Sequence, residues 1–220
     1  MQITYNDIKN SAEINTYIRC ADRSLTALGY TEHSFAHVTK TAEFASNLLL
    51  RLGYSEREAE LARIAGYMHD IGNVVNRVDH AQSGAVMAFR ILDKMGMDPE
   101  DTAAVVTAIG NHDEATAFPV NAIAAAVILG DKTDVRRSRV RNADLQGFDI
   151  HDRVNYAVEE SHVDLDIEQM LLTSELTIDT SICAVMDYFE IFLQRMLLCR
   201  KAAAFFGLTF RLVINGQTLL

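Results

Sequence analysis

Six residues of this 220-residue chain could together hold metal ions: His37, the adjacent pair His69 and Asp70, then His80, His112 and Asp131. The pair sits in Ala65-Gly66-Tyr67-Met68-His69-Asp70-Ile71-Gly72-Asn73, at the end of an otherwise apolar helical run. A soluble core carries an imidazole and a carboxylate there only if they have partners or a metal. Four neutral imidazoles and two carboxylates can hold two divalent transition ions, one carboxylate bridging, with positions left for water and substrate. Asp70 is the natural bridge. Two ions roughly 3.5 to 4 Å apart polarise a phosphoryl oxygen and generate a hydroxide at neutral pH, so phosphoester hydrolysis is within reach of this donor set.

The elements that must carry these residues are mostly helices. Ser11 to Gly29 places Ile14, Ile18, Ala21 and Leu25 at three- and four-residue steps, with Gly29 as the stop, and Glu32 to Leu52 repeats the pattern with His37 in its first turns. Ser55-Glu56-Arg57-Glu58 is a capping box that starts the next helix, and that helix runs to His69. Asp70 to Asp79 reads as a loop. His80 opens a helix through Val86, Phe89, Ile91 and Leu92, and Asp98-Pro99 caps another that reaches His112 near its end. A further helix is expected from Val120 to about Ser138. After a turn at Asn142 to Gly147, Val163 to Thr177 and Leu208 to Ile214 read as strands flanking a long helix, Thr180 to Phe206. The fold expected is mainly α: a helical domain over residues 1–141, and a small α+β appendage over residues 142–220 with two antiparallel strands and a long helix, packed on the same body.

Composition narrows the partners. With 49% hydrophobic and 23% charged residues the chain can bury one sizeable core. The longest purely apolar run, Ala122 to Leu129, is far short of the roughly 20 residues a bilayer span needs, and the first residues lack a secretory pattern, so a cytoplasmic protein without membrane contact is expected. Three cysteines, Cys20, Cys183 and Cys199, have no metal-type spacing and read as reduced and mostly buried. A formal net charge of −10 excludes non-specific coating of nucleic acid. Against that background Lys132, Arg136, Arg137, Arg139 and Arg141 form a local basic run. Its two readings are a solvated helix end and a phosphate contact. The Met and Phe stripe of the long C-terminal helix reads as core or as a homodimer surface.

The ordered pattern of His, His-Asp, His, His, Asp, with the words His37-Val38-Thr39-Lys40-Thr41-Ala42, Met68-His69-Asp70-Ile71-Gly72 and Leu129-Gly130-Asp131-Lys132, resembles the HD-domain superfamily of metal-dependent phosphohydrolases over about residues 33–141. The resemblance implies an HD-domain helical bundle. It also implies that His37, His69, Asp70 and Asp131 hold one metal, and that His80 and His112, sharing Asp70, hold a second. One or two divalent ions per chain, drawn from Mn, Fe, Mg, Co, Ni or Zn, would be the cofactor. The substrate class implied is a nucleotide or another small phosphorylated molecule, with Asp70 and Lys132 as catalytic residues and Lys132, Arg77 and Arg136 on the phosphate. Two positions depart from the pattern. Asn73 stands where many members carry lysine, for which Arg77 is the replacement, and His112 is followed by Asp113 and Glu114 rather than paired with a second histidine. Asp113 and His33 are candidates for an outer layer, and His151 and His162 lie outside the set. The same ligands also resemble the HD-fold di-iron oxygenases of small molecules, and an HD scaffold that senses a ligand without turnover is the third reading.

Overall fold

The computed structural model describes residues 2–141 and 149–220. The turn expected at Asn142 to Gly147 lies outside the described residues. The element order is α1 (Tyr5–Lys9), α2 (Ala12–Ala27), α3 (Phe35–Arg51), α4 (Glu56–Met68), a 3-10 turn (Ile71–Val74), α5 (His80–Met95), α6 (Pro99–Gly110) and α7 (Ala122–Lys132). A second 3-10 turn (Arg137–Arg139) follows, then α8 (Ile150–Ala157), β1 (Val158–Asp166), β2 (Leu171–Ile178), α9 (Val185–Phe205), β3 (Thr209–Ile214) and β4 (Gln217–Thr218). The fold is mainly helical with a small sheet in the C-terminal region.

The boundaries follow local chemistry. Ser55 and Glu58 close a reciprocal capping box on α4, and Asp98 caps α6 with Pro99 in its first turn. Gly29, Gly53 and Gly96 follow α2, α3 and α5 with φ of +82°, +83° and +78°, a region open to glycine at little steric cost. Helix α3 is the centre of the body. Its buried face, Val38, Ala42, Ala45, Leu48 and Leu49, packs on α4 and α7. Two glycines allow that approach: a Cβ on Gly66 would lie 2.8 Å from the Ala42 Cα, and one on Gly130 would lie 2.9 Å from the Thr41 carbonyl oxygen. These contacts draw the ends of α4 and α7 onto the first turns of α3.

Several expectations are corrected. Helix α7 stops at Lys132 rather than Ser138, because the chain leaves the helix after Thr133 and turns Asp134 back against α3. On α5 the buried residues are Ala81, Gly84, Ala85, Ala88, Ile91 and Leu92, whereas Val86 and Phe89 point outward. Small side chains are needed on the inner face, where Gly84 meets the turn at Gly72. His112 lies just beyond α6, not within it. The segment Val163 to Thr177 is a hairpin of two strands, with Met170 in the left-handed region at φ +50°. The sheet has four strands in the order β1-β2-β3-β4, and β2 and β3 run parallel rather than antiparallel. Helix α9 joins those two strands, and parallel neighbours need such a crossover. It begins at Val185, after the polar stretch Asp179 to Ser181. Helices α1 and α8 were not foreseen. One continuous apolar cluster runs from Ile8 through Leu49 and Ile128 to Met196 and Leu212, so α9 and the sheet share the core of the helical body.

Candidate metal centre

Each candidate ligand is delivered at or near a helix end. His37 stands in the first turn of α3, His69 at the C-cap of α4 with Asp70 next, His80 at the first residue of α5, His112 two residues past α6, and Asp131 in the last turn of α7. Asp79 adopts φ +56° to start α5 with His80 turned inward. All six are buried.

They converge on the two oxygens of Asp70. Oδ2 lies 3.3 Å from His69 Nε2 and 3.7 Å from His37 Nε2, and Asp131 Oδ1 faces the same two nitrogens at 3.8 and 3.2 Å. Oδ1 faces His80 Nε2 at 3.5 Å and His112 Nε2 at 3.9 Å. Three sets of ligand atoms each lie within 4.8 Å of one another: His37, His69 and Asp70; His69, His112 and Asp131; and Asp70, His80 and His112.

The imidazoles are oriented from behind. His37 Nδ1 bonds the Asp134 carboxylate at 2.8 Å, while His69, His80 and His112 direct Nδ1 to the carbonyls of Gly66, Arg77 and Ile109 at 2.7, 3.0 and 2.6 Å. A carbonyl only accepts, so these three rings donate from Nδ1 and turn the Nε2 lone pair to the centre. His80 Nε2 and His112 Nε2 then face each other at 3.1 Å. With both rings donating from Nδ1, two lone pairs that close repel unless a proton or a metal cation stands between them, and Arg77 Nη1 meets the His80 one at 3.1 Å. His37 Nε2, His69 Nε2 and Asp70 Oδ2 are buried without a hydrogen-bond partner, which native interiors rarely tolerate. The donor set therefore fits divalent metal.

At Asp70, Asp131, His80 and His112 the electrostatics agree with that fit. Burial alone would raise the Asp70 carboxyl, but His69, His33 and His80 hold it well below the usual carboxylate range. Asp131 is likewise held well down against burial, chiefly by Lys132. Burial depresses His112 far below an ordinary histidine, aided by the charges of His69 and Lys132, and depresses His80 in spite of Asp70. Neutral imidazoles are the ligating form. Burial would lower His69 too, yet Asp70 and Asp131 raise it.

The cations divide into two groups. Lys132 is buried, with Nζ 2.6 Å from Asp131 Oδ2 and 3.3 Å from Glu114, so it stands behind a ligand. Arg136 is held by Asp134 at 2.9 Å and Glu32 at 3.1 Å and does not line the cavity beside the centre. That cavity, of about 310 Å³, is walled by Tyr30, His33, Arg77, Arg139, Phe192 and Arg195 among others. Arg77 Nη1 lies 3.1 Å from His80 Nε2, and the His33 ring is 5.5 Å from that of His37. Asn73 donates to Asp70 Oδ1 at 2.9 Å, and Asp113 comes within 4.0 Å of His80. The basic run is dispersed: Arg137 bonds the Tyr156 carbonyl, Arg139 is buried in the cavity wall, and Arg141 pairs with Asp22.

Sequence reasoning missed the roles of Asp134, Glu114 and Arg195. Arg195 pairs with Glu114 at 2.9 Å, closing a line from α9 through Glu114 and Lys132 to Asp131. The available signal was a charged residue interrupting the apolar stripe of Phe192, Met196 and Cys199.

The HD domain family model matches residues 34–191, well over half of the chain and beyond the 33–141 span of the sequence motifs. The chain belongs to the HD domain family. The match takes in α8, β1, β2 and the start of α9, so the HD domain is larger than its ligand-bearing helices. An uncharacterized protein of Methanocaldococcus jannaschii is 24% identical over 162 residues, covering 64% of this chain and 62% of that protein. Ribonuclease Y of Opitutus terrae is 29% identical over 119 residues, 54% of this chain and 21% of that enzyme. The chain thus spans less than two thirds of the length of either relative. The crystal structure of a predicted HD superfamily hydrolase from an uncultured Thermotogales bacterium matches at 27% identity with a TM-score of 0.45, over 56% of this chain and 67% of that one.

Proposed function

We propose that this HD domain is a metal-dependent phosphohydrolase that cleaves a phosphoester of a nucleotide or another small phosphorylated molecule with an activated water. The observation that carries the reading is the inward set of Nε2 lone pairs, His80 against His112 at 3.1 Å, with Asp70 presenting one oxygen to that pair and the other to His37 and His69. Divalent ions bound there would supply Lewis acidity and a nucleophile at neutral pH. Asp70 bridges the two halves of the ligand set. Lys132 neutralises and fixes Asp131, and Arg77, beside His80 and facing the cavity, holds the phosphate. One relative is named a ribonuclease, and RNA cleavage is itself phosphoester chemistry. Among the described residues no helix is long and apolar enough to cross a membrane, and all three cysteines are free, which supports a reducing compartment such as the cytoplasm.

Elemental analysis of protein purified without added metal, run with hydrolysis of an aryl phosphate and a nucleotide panel, tests this. The expected result is about two ions per chain, with hydrolysis lost to chelation and restored by Mn, Co, Mg or Ni. Iron in both positions with no hydrolysis would transfer the reading to an oxygenase. Failure to load any metal would reduce the site to a scaffold.

A further inference from the structure

The cavity beside the metal centre is walled by three guanidinium groups, and two of them come from segments that carry no ligand. Arg139 ends the 3-10 turn after α7, and Arg195 comes from α9. Arg139 donates Nε and Nη1 to the carbonyls of Glu32 and Asp134, both at 2.9 Å, which occupies hydrogens without cancelling charge. Its carboxylate neighbour, Asp134 at 3.9 Å, also serves His37, Lys40 and Arg136. Arg195 shares its partner Glu114 with Lys132. Arg77 has no carboxylate within 4.0 Å among the described residues. The cations on this wall therefore outnumber the carboxylates that answer them.

Two acids also line the cavity, at the start of α8. Asp149 accepts the Asp152 N–H at 2.8 Å as a helix cap. Burial, with Asp149 alongside, pushes the Asp152 carboxyl upward, while the neighbouring His151 draws it down. Neither carboxylate is within ion-pair distance of the three arginines.

Each aromatic ring in the wall has a guanidinium over one face. The Arg195 guanidinium sits 4.5 Å from the Phe192 ring centroid, and that of Arg77 sits 5.6 Å from the Tyr30 centroid. Phe192 is buried under its cation and offers no face to a nucleobase, whereas an anion would meet the exposed side of the same cations.

We propose that Arg195 and Arg139 form a second anion subsite next to the metal centre, so that the substrate is a small phosphoester carrying a further anionic group, phosphate or carboxylate. This rests on the phosphohydrolase reading for the first group and narrows it for the second. A cavity of about 310 Å³ suits a compact molecule of that kind.

Calorimetric titration of the metal-loaded full chain with four non-hydrolysable probes tests the subsite. Methylphosphonate and benzylphosphonate carry one anionic group, the second with an added ring, while phosphonopropionate and ethylenebisphosphonate carry two. Either two-anion probe should bind about tenfold or more tighter than both one-anion probes, as a charge-assisted contact provides. The preferred one identifies the second group as carboxylate or phosphonate-like. In Arg195→Gln the preference should shrink toward unity, and Arg195→Lys should restore part of it. Equal affinities, a preference for benzylphosphonate, or an undiminished preference in R195Q would overturn the subsite. The wild-type ratios decide the matter if R195Q does not fold. Because the readout is binding, absence of turnover with the two-anion preference intact would refute the hydrolase reading alone. Turnover of aryl phosphates without that preference would refute the subsite alone.

Discussion

The segment from α3 to α7 and the segment from α8 to β4 contribute to one centre by different means. The first supplies all six candidate ligands, each at or near a helix end, with the four imidazoles each oriented by a short bond from behind. The second supplies no ligand among its described residues, but it closes the cavity and fixes Asp131 through Arg195, Glu114 and Lys132. A ligand must point within narrow limits, and a helix end near its own cap provides that direction locally. A cationic wall needs only charge at the right depth, which a remote helix packed on the core can provide. Candidate donors thus sit where the sequence carries its strongest local signals, and the cationic cavity wall sits where tertiary packing brings distant residues together.

The sharpest way to break this comparison is Asp70→Ala. Both halves of the ligand set lose their shared carboxylate, so metal content should fall toward zero and hydrolysis by more than about 100-fold, since residues merely behind a ligand already cost about 10- to 100-fold. Retention of two ions per chain by elemental analysis would show that Asp70 does not bridge. In the C-terminal segment Leu212→Ala, at a fully buried β3 position, should cost about 3 kcal/mol in denaturant unfolding. The folded variant should keep its metal, and a loss of metal in step with stability would erase the division of labour. Asp134→Asn keeps the size of the residue bonded to His37 but removes its charge. It should weaken metal affinity by about 10-fold or more, read by competition with a chelator. The smallest effect concerns the thiols of the C-terminal segment. Burial pushes Cys183 up to about 11 and Cys199 up to about 12, so both stay protonated as pH rises through neutrality and only approach ionisation above those values. Alkylation at pH 8 should label partly exposed Cys20 first, checked by peptide mass analysis. Rapid labelling of Cys199 would show that α9 opens readily.

Most helix caps, and the candidate donors, are legible in the sequence alone. Ser55 with Glu58, Asp98 with Pro99, and the glycines after α2, α3 and α5 act within one or two turns of the chain, so their effect is legible without a fold. The order His37, His69-Asp70, His80, His112, Asp131 was legible because three of its positions are tied to local words, at His37, His69-Asp70 and Asp131. Packing decided what depended on distance along the chain. The parallel pairing of β2 with β3 follows from α9 crossing between them, and no alternation within either strand encodes its direction. The outward turn of Val86 and Phe89 follows from the close approach of Gly84 to the Gly72 turn, which outweighs their hydrophobicity. The end of α7 at Lys132, the burial of Lys132 behind Asp131, and the partners Asp134, Glu114 and Arg195 all depend on charges meeting across α3, α7 and α9. A charge's partner is set by three-dimensional proximity and by the cost of burying it alone, and neither is written in its neighbours along the chain.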